Sequence, residues 1–402
     1  MCNNAWFLIA SNFISRFGSY FSYMGITIYI FEKTGSNFAV GLSLLLVLIS
    51  HLLVAPIILK YSDSWDKKKT LIICNIISLF LLLLWSFNAQ NLIFGYAIIF
   101  LNGIFSNIHQ PVQQSLISVI VKKNALDKVN SLFGISGQIN VIAGYACGAI
   151  ILQYFGISNL LYLDSLTYGI SAILIFLIKI PSLESAVEQK SLTFKYRPFF
   201  QKLWENGVMT YILFPFLIVS FAFGVNNGLA VGFSRTTLGL SIAKTGIVEA
   251  FCGVGFICGG IIVPRICRWD DEVIFYIASI FSTMFGVALG LSTNFTIAAF
   301  FWFLAGFINA FTFVKWRSFV QKRLEIKIQA RTFSMILTLT SITQLISLGL
   351  STYLADIYGP ANLLVVFGVL STSLLIIYGI WFFFFNRNYV TVQGFNNENI
   401  SY

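Results

Sequence analysis

Five ionisable side chains interrupt apolar stretches of this 402-residue chain, and they are where its chemistry would begin: Arg16, Asp164, Glu249, His51 and His109. A charge at the centre of an apolar layer costs at least about 2.5–3.5 kcal/mol on insertion scales, so each needs a partner or a task. Arg16 lies near the middle of its run, about 16 Å along a helix from Ala5. It would either hold an anionic group of a bound molecule or pair with Glu249 or Asp164. Glu249 sits just below Lys244 on a segment containing Gly253, Gly255, Gly259 and Gly260, where neighbouring helices can approach closely. A buried carboxylate is the group best suited to gain and lose a proton, which makes Glu249 the first candidate for proton coupling; the other reading is a fixed partner of Lys244 or Arg16. Asp164 is a second coupling candidate, or a polar link to a neighbouring helix.

Weaker polar groups accompany these charges. Asn107, His109, Gln110, Gln113 and Gln114 cluster around Pro111, with Asn107, His109 and Gln113 as candidate substrate contacts. Asn226, Asn227 and Asn309 could orient a ligand without a full charge, or bond one helix to another.

The elements that would position these residues are dictated by composition. Hydrophobic residues make up 57% of the chain and charged residues only 10%, far from the roughly 25% charged of a soluble domain. A span needs about 20 apolar residues to cross a roughly 30 Å hydrocarbon layer. Twelve stretches qualify: 5–31, 37–59, 69–88, 92–120, 129–155, 158–180, 208–234, 242–264, 272–292, 294–320, 332–355 and 360–386. The predicted fold is therefore all-α: a polytopic membrane protein with twelve transmembrane helices in two pseudo-symmetric six-helix bundles. Residues 1–180 form the first bundle, 181–207 a central cytoplasmic loop, 208–386 the second bundle and 387–402 a cytoplasmic tail. The start, MCNNAWFLIA, lacks a basic segment before its apolar run and reads as a retained first span.

With the N terminus inside, 21 of the 25 Lys and Arg fall on the inner side, in loops or at the inner ends of spans, three on the outer side and one, Arg16, deep within a span. That asymmetry places both termini in the cytoplasm and the protein in the cell membrane. It also accounts for the net charge of +10 without nucleic acid. The six cysteines show no paired metal-ligand spacing, so no metal or cofactor is expected. No phosphate-binding Gly-x-x-x-x-Gly-Lys-Ser/Thr loop, His-Glu-x-x-His pair or Gly-x-Ser-x-Gly elbow occurs, so ATPase and hydrolase chemistry have no support.

Several stretches together resemble the major facilitator superfamily, in particular its drug-exporter branch: SRFGSYFSYMGITIYIFEKTGSNFAVGLSLL, YSDSWDKKKTLI, HQPVQQSLI, LLYLDSLTYGISAILIFLI and VEAFCGVGFICGGII. In the superfamily loop signature Gly-x-x-x-Asp-Arg-x-x-Arg-Arg, Asp63, Lys67 and Lys68 match the acid and the basic pair, while Leu59 and Ser64 depart from it. The resemblance implies a gating loop at Asp63, Lys67 and Lys68, alongside the simpler reading of a topology anchor. Exporters of this branch often carry Gly-Pro-x-x-x-Gly in span five; here Ala143, Gly144 and Gly148 keep the small residues without the kink. The implied function is secondary active export of small hydrophobic or amphipathic molecules by proton antiport, as a monomer, with small-molecule substrate, protons and the lipid bilayer as partners. The alternatives are export of one metabolite, such as a siderophore, peptide or lysolipid, or a non-transporting membrane receptor or assembly partner.

Overall fold

A computed structural model describes residues 3–61, 65–120, 126–178, 201, 203–205, 207–263, 270–324 and 326–385. The chain runs through α1 (Asn3–Thr34), α2 (Asn37–Tyr61), α3 (Lys67–Phe87), α4 (Leu92–Ile120), α5 (Leu126–Phe176), α6 (Phe214–Gly232), α7 (Ile242–Ile262), α8 (Asp271–Gly290), α9 (Phe295–Arg323), α10 (Ile326–Tyr358) and α11 (Pro360–Phe385). Single π-turns, Val208–Leu213 and Phe233–Thr237, flank α6. Ten of these stretches are long and apolar enough to cross a membrane. α1 falls short in apolarity because polar side chains recur along one of its faces.

The stretch Ser136–Phe176, at 41 residues, is twice the length a bilayer requires. It is broken at Gly156, whose φ of 75° and ψ of 175° suit glycine alone. Contacts with α1 show that the two arms run in opposite directions. Ascending α1, Phe13, Tyr20 and Phe21 meet Asn140, Gly144 and Gly148 of the first arm, in rising order. Ser11, Gly18 and Gly25 meet Ser171, Asp164 with Thr167, and Leu160 of the second arm, in falling order. The element is a helical hairpin wrapped around α1.

Local signals set the helix ends. Asp66 caps α3, accepting from the Lys69 N–H at 3.1 Å, and Asn294 caps α9, accepting from the Ile297 N–H at 3.0 Å. Gly35 (φ 65°) and Gly359 (φ 83°) end α1 and α10 in left-handed turns, donating to Phe31 and Ala355 carbonyls. Small residues then set how closely the helices pack. A Cβ on Gly255 would lie 1.9 Å from the Phe303 carbonyl oxygen, and one on Gly306 would lie 1.8 Å from that of Cys252, so α7 and α9 touch backbone to backbone. Gly260, by contrast, faces open space. Bulky apolar side chains such as Phe80, Ile173, Phe176 and Ile377 are left more than half exposed, as a surface solvated by lipid requires.

Candidate functional site

Six residues of α1, Asn12, Ser15, Arg16, Ser19, Tyr20 and Tyr23, follow the i, i+3, i+4, i+7 spacing and share one face. That face opens onto a cavity of about 240 Å³, closed on the other sides by groups that include Asn75, His109 and Tyr145. Tyr145 stacks on Tyr23 (centroids 5.7 Å apart, 21° between planes) and meets Tyr20 edge-on at 6.0 Å. Among the described residues no acidic side chain lines this cavity. No described carboxylate lies within ion-pair distance of Arg16, so the expected pair with Glu249 or Asp164 does not form. The guanidinium faces a polar and aromatic hollow with its charge uncompensated, an arrangement suited to an anionic or strongly hydrogen-bonding group. His109 shares the hollow, its Nε2 buried without a partner.

Glu249 lies behind the aromatic wall rather than on it. Three residues before it, Gly246 packs on Ala149 and the Tyr145 carbonyl; four residues after it, Gly253 packs on Ile142. Glu249 therefore faces the seam between α7 and the first arm of α5. It is 8% exposed, its Oε1 has no hydrogen-bond partner, and Tyr23, Tyr145 and Cys252 are its electrostatic neighbours. It is not the fixed partner of Lys244 or Arg16.

The remaining candidates separate cleanly. Asp164, 2% exposed, accepts from the Thr167 hydroxyl at 3.2 Å and lines a second cavity of about 180 Å³. Asn107 is spent between helices: its Nδ2 donates to Ser50 Oγ at 3.0 Å, and its Oδ1 lies 3.3 Å from His51 Nδ1. Gln113 accepts from Asn12 at 2.7 Å, and Asn309 accepts from Ser282 at 2.7 Å, joining α8 to α9. Asn226 packs beside Gly286, and neither it nor Asn227 lines the two cavities. Of the gating-loop candidates, Lys68 donates to the Ile178 carbonyl at 2.7 Å and lies over the Phe176 ring, and Lys67 opens α3. Asp63 lies outside the described residues. The sequence points to Phe, Tyr and Trp of spans one, four, seven and ten as cavity lining, which takes in Tyr20 and Tyr23; Tyr145, in span five, and the polar stripe of α1 escaped that reading, although the stripe's helical spacing was there to find.

Among the described residues, several polar contacts across the seams lie at one end. Asp356 of α10 accepts from the Ser36 hydroxyl, from the Asn37 backbone N–H at 2.6 Å and side-chain amide at 3.0 Å, and from the Phe38 N–H at 3.2 Å. Arg235 pairs with Glu32 at 2.7 Å, and Gln153 accepts from the Ala243 N–H at 2.9 Å. These bonds clamp the end of the bundle where α1 turns into α2.

The sequence profile of the Major Facilitator Superfamily matches residues 8–327. The chain belongs to the major facilitator superfamily. It is a multi-pass membrane transporter of that superfamily, not an enzyme. It is 22% identical over 365 residues to Macrolide efflux protein A of Streptococcus pyogenes, covering 88% of this chain and 90% of that one. Among solved structures, the nucleoside transporter NupG matches with a TM-score of 0.73 at 15% identity, over 94% of this chain and 99% of the other. A bacterial homolog of the human lysosomal transporter Spinster, inward-facing and unoccupied, matches with a TM-score of 0.71 at 14% identity, over 97% and 98%. At such identities these structures speak to the fold alone.

Proposed function

We propose that this superfamily member is a proton-driven exporter of small amphipathic molecules. In this reading it sits in the cell membrane as a monomer with both termini in the cytoplasm. Twelve spans form two bundles, 1–180 and 208–386, with α1 as one span and the α5 hairpin as two. The clamp at Asp356 and Arg235 then lies on the outer side, and the α1 cavity belongs to a state closed to the outside. At about 240 Å³ the cavity is below the roughly 300–1,000 Å³ of common ligand sites, so loading a cargo requires the bundles to part further.

The observation that carries the reading is the position of Glu249: buried, unpartnered and on the face that packs across the seam, against the tyrosines of the cavity wall. A charged carboxylate there resists burial and a protonated one does not, so proton uptake biases how the bundles close. Cargo enters against Tyr23 and Tyr145 and competes for the same space. The curated relative named for macrolide efflux supports export as the direction. Glu249→Gln should abolish concentrative efflux driven by an imposed pH gradient in proteoliposomes while leaving counterflow of bound substrate. Full concentrative efflux by that variant would overturn the coupling assignment.

A second reading has its own observation. Arg16 lines a hollow with no acid on its wall, which fits one anionic metabolite better than a family of neutral drugs. A cargo-panel assay on Arg16→Gln separates the two: selective loss for anions supports the metabolite exporter, and unchanged transport of all cargoes supports the broad one.

A further inference from the structure

The second cavity, about 180 Å³, is lined by α1 to α4 and the second arm of α5, and it shares Ser19, Tyr23, Ser106 and Tyr168 with the Arg16 hollow. Its wall holds more polar groups than its bonds satisfy. Ser22 Oγ and Asn102 Oδ1 are both buried without a hydrogen-bond partner, and both residues line this one space. Ser22 is 3% exposed, so bulk water serves it poorly. The Ser22 hydroxyl lies beside the Asp164 carboxyl without hydrogen-bond geometry. Asn102 lies beside the Tyr168 hydroxyl, which bonds to Ser19 at 3.0 Å. Among the described residues no Lys, Arg or His lines the cavity, so none of them balances Asp164.

Buried polar atoms left unmatched cost about 1–3 kcal/mol each, and a buried charge more, so two orphan oxygens and a carboxylate around one hollow imply an occupant. The donor set identifies it: a carboxylate, an amide carbonyl and a hydroxyl are hard oxygen ligands with one negative charge among them. An anion is excluded by Asp164, and a divalent ion would leave a buried net charge. We propose that this cavity binds a partly hydrated monovalent cation of sodium size, held by Asp164, Asn102 and Ser22. The site is separate from Glu249 and independent of its role. Because Ser19 and Tyr168 form the wall common to both cavities, a cation neutralising Asp164 removes a repulsion from an anion bound at Arg16.

The test uses the purified full chain in detergent, melted in NaCl, LiCl, KCl and choline chloride at equal ionic strength and fixed pH. Selective binding to the folded state raises Tm saturably with that ion. We expect Na⁺ to raise Tm above choline, Asp164→Asn to raise the half-saturating Na⁺ concentration at least tenfold, and Ser22→Ala to raise it several-fold. Glu249→Gln should keep the wild-type Na⁺ response, which separates this site from the coupling carboxylate. Superimposable melts of wild-type protein in all four salts would mean a hollow holding water alone and would overturn the proposal, as would a response to pH with none to Na⁺. If Asp164→Asn does not fold, the wild-type ion series and Ser22→Ala decide the matter.

Discussion

The helices before and after the central segment differ in what they do with their most conspicuous polar groups. In α1 to α5 several face hollows unmatched: Arg16 without an acid, and His109 Nε2, Ser22 Oγ and Asn102 Oδ1 without partners. In α6 to α11 the conspicuous ones are bonded to each other. Lys315 of α9 reaches Asp271 of α8 at 2.8 Å with both side chains 7% exposed, and Lys322 joins them. Arg323 pairs with Glu272 at 2.6 Å, Ser282 with Asn309, and Thr372 with Thr283 at 2.9 Å. A satisfied group fixes geometry, whereas an unsatisfied one in a cavity awaits a ligand. The first region is built to bind and the second to hold shape. Ser234, Trp302, Trp316 and Glu249 are exceptions, each with a buried polar atom unpartnered, and Glu249 is the instructive one, since it belongs to the second region but faces the tyrosines of the first.

The comparison breaks most visibly at Asp271. Asp271→Asn leaves the Lys315 ammonium buried without its counter-charge, so stability should fall by about 3–5 kcal/mol. A melt in detergent measures the fall, and Asp271→Leu combined with Lys315→Met should recover most of it. Arg16→Gln is the mirror case: it removes a partly buried charge that has no acidic partner, so Tm should hold or rise. Affinity for an anionic cargo should nevertheless drop by about 10–100-fold, the worth of a charge-assisted hydrogen bond. A large loss of stability at Arg16 would show that it is a scaffold group after all.

These two sites also mark what the sequence disclosed. Apolar runs and loop charge were sufficient for the helices, and the break between the fifth and sixth runs falls at Gly156, where the chain reverses. Arg16 and Glu249 stood out because a charge in an apolar run is conspicuous in one dimension. Asn107 looked like a ligand contact, and Asn309 like a ligand contact or a helix link, because their partners, Ser50 with His51 and Ser282, lie on other helices. Which way a helix is rotated decides between those roles, and a linear reading does not contain it. The Asp164 cavity was hidden for the same reason, since four further helices enclose it. Asp271 and Lys315 were seen only as loop charge, 44 residues apart.

A smaller effect tests the packing half of the comparison. Gly255→Ala drives a Cβ into the Phe303 carbonyl, a backbone atom that cannot rotate away, and should cost about 1–3 kcal/mol. Gly260→Ala, five residues along the same helix, meets nothing within 4 Å and should gain up to about 1 kcal/mol from helix propensity. Opposite signs from two alanines on one helix would place the close α7–α9 contact on a single face.

The smallest effect lies at the loop between α2 and α3, in the binding region but outside the membrane. Asp66 accepts the Lys69 backbone N–H, which holds its carboxyl below the usual carboxylate range, with the Lys69 charge assisting. Because the folded value is the lower one, the cap's stabilisation is complete above the unfolded value of about 3.9 and fades as pH falls through the folded value. Asp66→Ala should therefore lower stability by about 1 kcal/mol at neutral pH. Asp66→Asn should keep most of the cap at pH 7 and, unlike Asp66, keep it unchanged between pH 5 and about pH 3. Melts of the three proteins across that window read the difference directly. If all three lose stability in parallel, the acid sensitivity of this end belongs to other carboxylates and the Asp66 cap contributes nothing to it.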